Sequence, residues 1–146
     1  MASEVHSSHE SAREVFGDTS FFYALLNLRD PNHARALELS DELATDGTGV
    51  CTTWDVVVET VALLRYRAGF ELAKLFLTKG TQDVRVMQPL ETERDLAVKV
   101  FLQRSRERTL SLCDAISYAV VSTRLNWAPC LSFDADFAAL GLTIFR

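Results

Sequence analysis

Cysteine, histidine and basic charge are all in short supply in this chain of 146 residues, and each shortage removes a class of function. Cys51, Cys113 and Cys130 form no C-x-x-C pair, and an odd number of thiols cannot close into a disulfide framework, so they read as buried thiols. His6, His9 and His33 are too few and too scattered for a zinc site. Any metal here must therefore be held by oxygen. Fifteen Lys and Arg against twenty Asp and Glu leave a net charge of −5 and a pI near 5.2, which argues against simple electrostatic binding of nucleic acid. No apolar run approaches the ~20 residues that span a bilayer. The opening residues MASEVHSSHESARE carry Ser, Glu and His where a secretory signal needs a basic end and an apolar core, so a cytoplasmic location is expected.

What the chain does have is core-forming material. Hydrophobic residues make up 48%, enough for one compact domain over residues 13–146 after a polar leader at 1–12. EVFG reads as a strand, and TSFFYALLNL has helical spacing. Pro31 opens a second helix that stops at Gly47. GVCTT is a short β-branched strand, followed by WDVVVETVALLRYRAG, a helix apolar almost all round and so expected to be buried. FELAKLFLTKG is amphipathic, and Phe70, Leu72, Leu75 and Phe76 suit a core or a partner helix equally. DVRVMQP alternates as a strand does. Two more helices follow, at 90–108 and 111–126, the second with Ser111 as a candidate cap. APCLSF, a short helix in DADFAALG and a closing LTIF complete the chain. Such alternation predicts an α/β fold, a three-layer α/β/α sandwich with a mostly parallel central sheet.

In such sheets ligands collect beyond the carboxyl ends of the strands, so acids at strand-to-helix junctions are the first candidates for chemistry. Asp18 ends the first strand, although a helix cap explains it as well. Asp114 lies three residues after Ser111, which fits a capping box as well as a functional acid. Asp134 and Asp136 follow the fourth strand, and either suits a cap. Glu59 is different: it sits mid-helix among Val56, Val57, Val58, Val61, Ala62 and Leu63, where an ionised carboxylate needs a partner. Neither Arg65 nor Arg67 stands at the spacing of a good helical ion pair, which leaves a remote cation as the structural alternative. Acids brought to one rim repel one another and raise one another's pKa, and a divalent cation removes that conflict. Mg²⁺ or Mn²⁺ suits carboxylate oxygens, and the combination points to metal-assisted phosphodiester hydrolysis.

The segments DTSFFYALL, VVVETVALL, LSLCDAISYAVV and LSFDADFAALG resemble, in order and spacing, the four acidic motifs of PIN-domain ribonucleases, most closely the VapC-type toxins. The resemblance runs from Arg13 to Phe145. It implies a parallel sheet sandwiched by helices and an Mg²⁺- or Mn²⁺-dependent cut in RNA. It further implies an antitoxin protein as partner and, in many members, a homodimer. By the same resemblance Asp18, Glu59, Asp114 and Asp134 are the catalytic and metal-holding acids, with Ser20, Ser132 and Asp136 in support. Cys113 stands where the family's TDA element has a hydroxyl, and Ser132 where Thr is frequent.

The negative total does not exclude RNA, because phosphate contact depends on where the cations lie. Arg104, Arg106 and Arg108 form one basic run, and Arg65, Tyr66 and Arg67 another with an aromatic able to stack on a base; a solvated helix end is the plainer reading of each. Phe21, Phe22, Leu25 and Leu26 read as core or dimer surface. Two rivals stand beside the nuclease: another Mg²⁺-dependent α/β phosphatase or phosphoacceptor domain, and a non-catalytic binding module. A dehalogenase-type phosphatase needs an aspartate two residues past its nucleophile, where this chain has Ser20. A response regulator needs an early acidic pair that is not evident.

Overall fold

The computed structural model describes residues 13–146, so the expected leader, with His6 and His9, lies outside the described residues. Five strands form one sheet: β1 (Glu14–Gly17), β2 (Gly49–Thr53), β3 (Val84–Met87), β4 (Cys130–Leu131) and β5 (Ile144–Phe145). Their spatial order is β3-β2-β1-β4-β5, and every pairing is parallel. The chain builds outward from β1 to β3, then returns to the other side of β1 to lay down β4 and β5. That reversal makes the β1/β4 boundary a topological switch point, where the connections leave in opposite directions and a crevice opens beyond the strand ends.

Parallel strands need long crossovers, and helices supply them. These are α1 (Thr19–Leu26), α2 (His33–Asp46), α3 (Trp54–Arg67), α4 (Phe70–Leu75), α5 (Glu91–Arg104), α6 (Leu112–Thr123) and α7 (Ala135–Ala138), giving an α/β/α sandwich. α4 runs into a wider π-type turn at Phe76–Gly80, which seats Phe76 in the core against Phe22 at 5.5 Å between ring centroids. Pro31 stands just outside α2, whose first residue is His33. Gly47, with φ of 67°, ends that helix in the left-handed conformation that glycine adopts without strain.

The middle of the sheet is closed to solvent. Phe16, Cys51, Cys130 and Leu131 are fully buried, and burial of a side chain as large as Phe16 contributes roughly 1.5–3 kcal/mol. Phe21 and Phe22 join this core, with Leu25 and Leu26 half-buried against it, so the aromatic run of α1 is packing. In the α4 segment Phe76 is buried, while Phe70 and Leu75 are exposed. Of the three thiols Cys51 and Cys130 are buried, but Cys113 is only half-buried.

A further expectation fails. α3 is not buried all round: Val56, Val57, Thr60 and Leu64 face the core, whereas Trp54, Val58 and Tyr66 are exposed, Tyr66 at 91%. A single stripe at helical spacing reaches the sheet, with Val61 half-buried against it and Leu63 half-buried at the cavity, while Trp54, Val58 and Tyr66 face outward. Glu59 accordingly lies at the margin of the stripe, half-buried, and not in the interior.

Among the described residues Glu93 is the deeply buried acid that is paired with a basic side chain. It is 3% exposed, accepts from the Leu90 N–H at 2.7 Å to close the N-terminal turn of α5, and pairs with Arg124 beyond the end of α6. Burial alone would raise its pKa; the Arg124 guanidinium and the Leu90 N–H outweigh that and hold it below the usual carboxylate range.

Candidate active site

The crevice at the switch point is a cavity of about 440 Å³. Asp18, Glu59, Asp114 and Asp134 all line it, although they come from four separate segments of the chain. Asp18 arrives there because β1 ends one residue earlier, its backbone N–H bonding to the Leu131 carbonyl of the neighbouring strand at 3.0 Å. β4 ends in register beside it, and the chain beyond Leu131 delivers Ser132 and Asp134 to the same rim.

Asp18 holds the N-cap position of α1, yet its carboxylate makes no cap bond. Oδ2 instead accepts from two hydroxyls, Ser20 Oγ and Ser132 Oγ, each at 2.8 Å. Those hydroxyls lie 3.2 Å apart and accept in turn from the Phe133 and Asp134 backbone N–H groups at 2.9 and 3.1 Å. The ends of β1 and β4 are thus tied through one carboxylate oxygen. Burial drives the Asp18 carboxyl above its ordinary pKa, with the two serines opposing and the Asp134 charge adding to the rise.

Asp114 does act as a cap partner: its N–H donates to Ser111 Oγ at 3.0 Å, and its Oδ2 accepts from the Ser111 N–H at 3.0 Å. The capping box fixes one oxygen and the rotamer. Burial pushes this carboxyl up to about 7, and the charges of Asp18 and Asp134 push the same way. Asp134 caps α7 by accepting from the Asp136 N–H at 2.9 Å. A cap and a cavity acid are therefore not alternatives in this fold: Asp134 follows β4 and caps α7, and Asp114, which no strand precedes, closes the capping box of α6, while both line the cavity.

Glu59 reaches the cavity from the side of α3. Leu63 and Arg67 line it too, one and two turns further along the same helix face. Ser20 is in the cavity wall, and Ser132 is buried just behind it. Asp136 is not there: it lies in a separate shallow surface recess with Arg106 and Arg108. Arg104 stands over the Tyr118 ring at 5.9 Å. Arg65 is exposed outside the cavity, which leaves Arg67 as the arginine of the two basic runs that the fold brings to the acids.

Several wall residues had no signal in the sequence. Tyr23, Asp30 and Asn32 come from the end of α1 and the turn into α2, and Thr109 from the loop before α6. The Thr19 hydroxyl, also at the wall, is buried with no hydrogen-bond partner among the described residues. An unpaired buried hydroxyl is costly, and a water or an ion in the adjoining cavity would satisfy it.

The donor set is made of oxygen, which suits a hard divalent ion. Among the described residues no three acidic, histidine or cysteine side chains are drawn together into a ready-made cage. Mg²⁺ does not require one, since it usually keeps several waters beside one or two carboxylates and a substrate phosphate. Burial raises the Asp114 pKa and the charges of Asp18 and Asp134 add to the rise, and a cation bound among these acids would offset both.

Among known proteins, the 23S rRNA-specific endonuclease VapC20 of Mycobacterium tuberculosis is 31% identical to this chain over 132 residues, spanning 90% of this chain and 98% of the relative. The chain belongs to the VapC-type toxins of the PIN-domain ribonuclease family. Its crystallised relative, the sarcin-ricin-loop-cleaving toxin VapC20, superposes with a TM-score of 0.78 at 33% identity over the same shares. FitAcB from Neisseria gonorrhoeae (TM-score 0.67, 14% identity) and VapBC2 from Rickettsia felis bound to promoter DNA (0.66, 11%) share the fold, each covering 90% of this chain. No family model matches. Family membership makes the chain an enzyme, a ribonuclease of the hydrolase class and of the toxin kind, and links it to Mg²⁺-dependent nucleases. Among the described residues no helix is long and apolar enough to cross a membrane.

Proposed function

We propose that this chain is a Mg²⁺- or Mn²⁺-dependent endoribonuclease, acting in the cytoplasm as the toxin of a toxin–antitoxin pair, with Asp18, Glu59, Asp114 and Asp134 as its catalytic acids. The observation that carries this reading is that all four line one cavity at the switch point of a parallel sheet. Asp18 and Asp114 would hold the ion directly, since each has one oxygen fixed by hydrogen bonds and an Oδ1 that takes no side-chain hydrogen bond among the described residues. Glu59 and Asp134 would complete the coordination or orient water. When bound, such an ion polarises phosphate oxygens and lowers the pKa of its water.

The chain's own groups do the positioning. Ser20 and Ser132 keep Asp18 turned to the cavity, Ser111 does the same for Asp114, and Arg67 offers a cation to a backbone phosphate at the edge of the site. Ribosomal RNA is the substrate class suggested by the relative that cleaves 23S rRNA. An antitoxin protein and a second copy of the chain are the proposed partners, and residues 13–146 are proposed as a single nuclease domain.

The test is cleavage of labelled RNA by purified protein with Mn²⁺, with Mn²⁺ plus chelator, and by Asp18→Asn. Metal-dependent cutting that Asp18→Asn abolishes supports the reading. Cutting that survives both the chelator and the substitution contradicts it, and would favour a different chemistry in this cavity.

A further inference from the structure

The turn between α1 and α2 forms a wall of the active-site cavity that the reaction chemistry does not use, and its hydrogen bonding shows what it is built to do. The Asp30 N–H donates to the Asn27 carbonyl at 3.0 Å, the Asn32 N–H to Asp30 Oδ1 at 2.8 Å, and the His33 N–H to the Asp30 carbonyl at 3.0 Å. His33 Nδ1 is bonded to the Ala24 carbonyl at 2.7 Å, and Asn27 Nδ2 donates to Tyr23 Oη at 2.9 Å. The turn is thus fixed, and it holds Tyr23 with it.

Asn32 departs from this economy. It occupies the N-cap position of α2, where asparagine ordinarily accepts from a free backbone N–H, yet its side chain makes no cap bond and no other hydrogen bond among the described residues. It is half-buried and lines the cavity. An amide presents one acceptor and one donor side by side, the pattern that matches N6 and N7 of adenine as a bidentate pair. Tyr23, half-buried in the same wall, offers a ring of the kind on which unstacked RNA bases are held. Asp30, also in this wall, disfavours a phosphate there, whereas Arg67 favours one at its own position. The wall is suited to a base, and the arginine to the backbone.

We infer that the Asn32 side-chain amide reads the edge of an unstacked adenine beside the scissile phosphate, with Tyr23 as its stacking surface. The inference rests on the ribonuclease reading above and adds a specificity-determining residue to it. RNA that offers adenine in a single-stranded loop is then the preferred substrate class.

Equilibrium binding separates this inference from catalysis. In the Asp18→Asn background, with Mn²⁺ present, fluorescence anisotropy would measure binding of uridine octamers carrying one central adenine, guanine or cytosine, and of the all-uridine octamer. The adenine octamer is expected to bind about tenfold or more tightly than the others, within the range of one bidentate pair. Adding Asn32→Ala brings the four within about twofold, and adding Asn32→Asp, which replaces the donor with a second acceptor, moves the preference to cytosine. Thermal unfolding of the Asn32 variants checks that the turn persists. No base preference before the substitution, or an equal loss on all four RNAs after it, overturns the inference while leaving the nuclease intact. Adenine preference in a protein that never cuts RNA would uphold the inference and remove the nuclease. If no octamer binds, the inference falls, and the cleavage test above decides the nuclease separately.

Discussion

Replacing Asp114 by asparagine should make the metal-free protein more stable and, at the same time, inactive. In Asp114→Asn the side chain keeps an oxygen to accept from the Ser111 N–H, and the backbone N–H at that position still donates to Ser111 Oγ, so the capping box survives. What disappears is a buried carboxylate whose pKa burial has raised from 3.8 to about 7. The folded state holds that proton more tightly than the unfolded chain, so the stability it contributes is complete below about pH 4 and is lost as pH rises through about 7. At about 1.4 kcal/mol per pH unit, a rise of that size limits the cost of ionised Asp114 to about 4 kcal/mol. Water entering the open cavity reduces this, and a gain of about 1–3 kcal/mol is expected for Asp114→Asn at pH 8. For a chain of this size that is roughly 3–9 °C in Tm. Thermal or urea unfolding of both proteins in chelator, from pH 4 to 8, would show curves that coincide at the acid end and separate toward pH 8. With excess Mn²⁺ the order should reverse, because only the wild type gains ligand-linked stability. An Asp114→Asn protein less stable than wild type at pH 8 without metal would refute the reasoning.

Two further substitutions probe the supports of the site. Ser132→Ala removes one hydroxyl from Asp18 Oδ2 and the partner of the Asp134 N–H; it should lower metal-dependent cleavage about tenfold or more while Ser132→Thr preserves it. Unchanged rates and Mn²⁺ affinity in Ser132→Ala would remove this hydroxyl from the account. Gly17→Ala places a Cβ 2.5 Å from Phe22 Cζ, one residue before Asp18, and should destabilise by about 1–3 kcal/mol in urea unfolding through overpacking. A change within about 0.5 kcal/mol would show that Phe22 yields more readily than the packing implies.

The alternation of strands and helices was readable because each crossover is long and periodic, and the strand-end acids were readable because the switch point needs polar residues where strands stop. Burial of Glu59 was misjudged: apolar composition alone cannot say which side of α3 meets the sheet, and Val58 and Tyr66 prove to be exposed. Between Asp134 and Asp136 capping chemistry made no choice, since both suit a cap, and only the family resemblance favoured Asp134; the fold lines the cavity with Asp134 and leaves Asp136 in a separate recess. Arg67 could be placed only by counting two turns from Glu59. Tyr23, Asp30 and Asn32 escaped because a turn of Asp, Pro and Asn reads the same whether it only reverses the chain or also walls a cavity.

The account depends on four distant carboxylates acting as one cation site. Mn²⁺ titration followed by electron paramagnetic resonance of the free ion measures this without requiring turnover. Wild type and Asp136→Asn are predicted to take up Mn²⁺ alike, and Asp18→Asn and Asp114→Asn to lose that uptake while remaining folded. Equal uptake by all four proteins would contradict the claim.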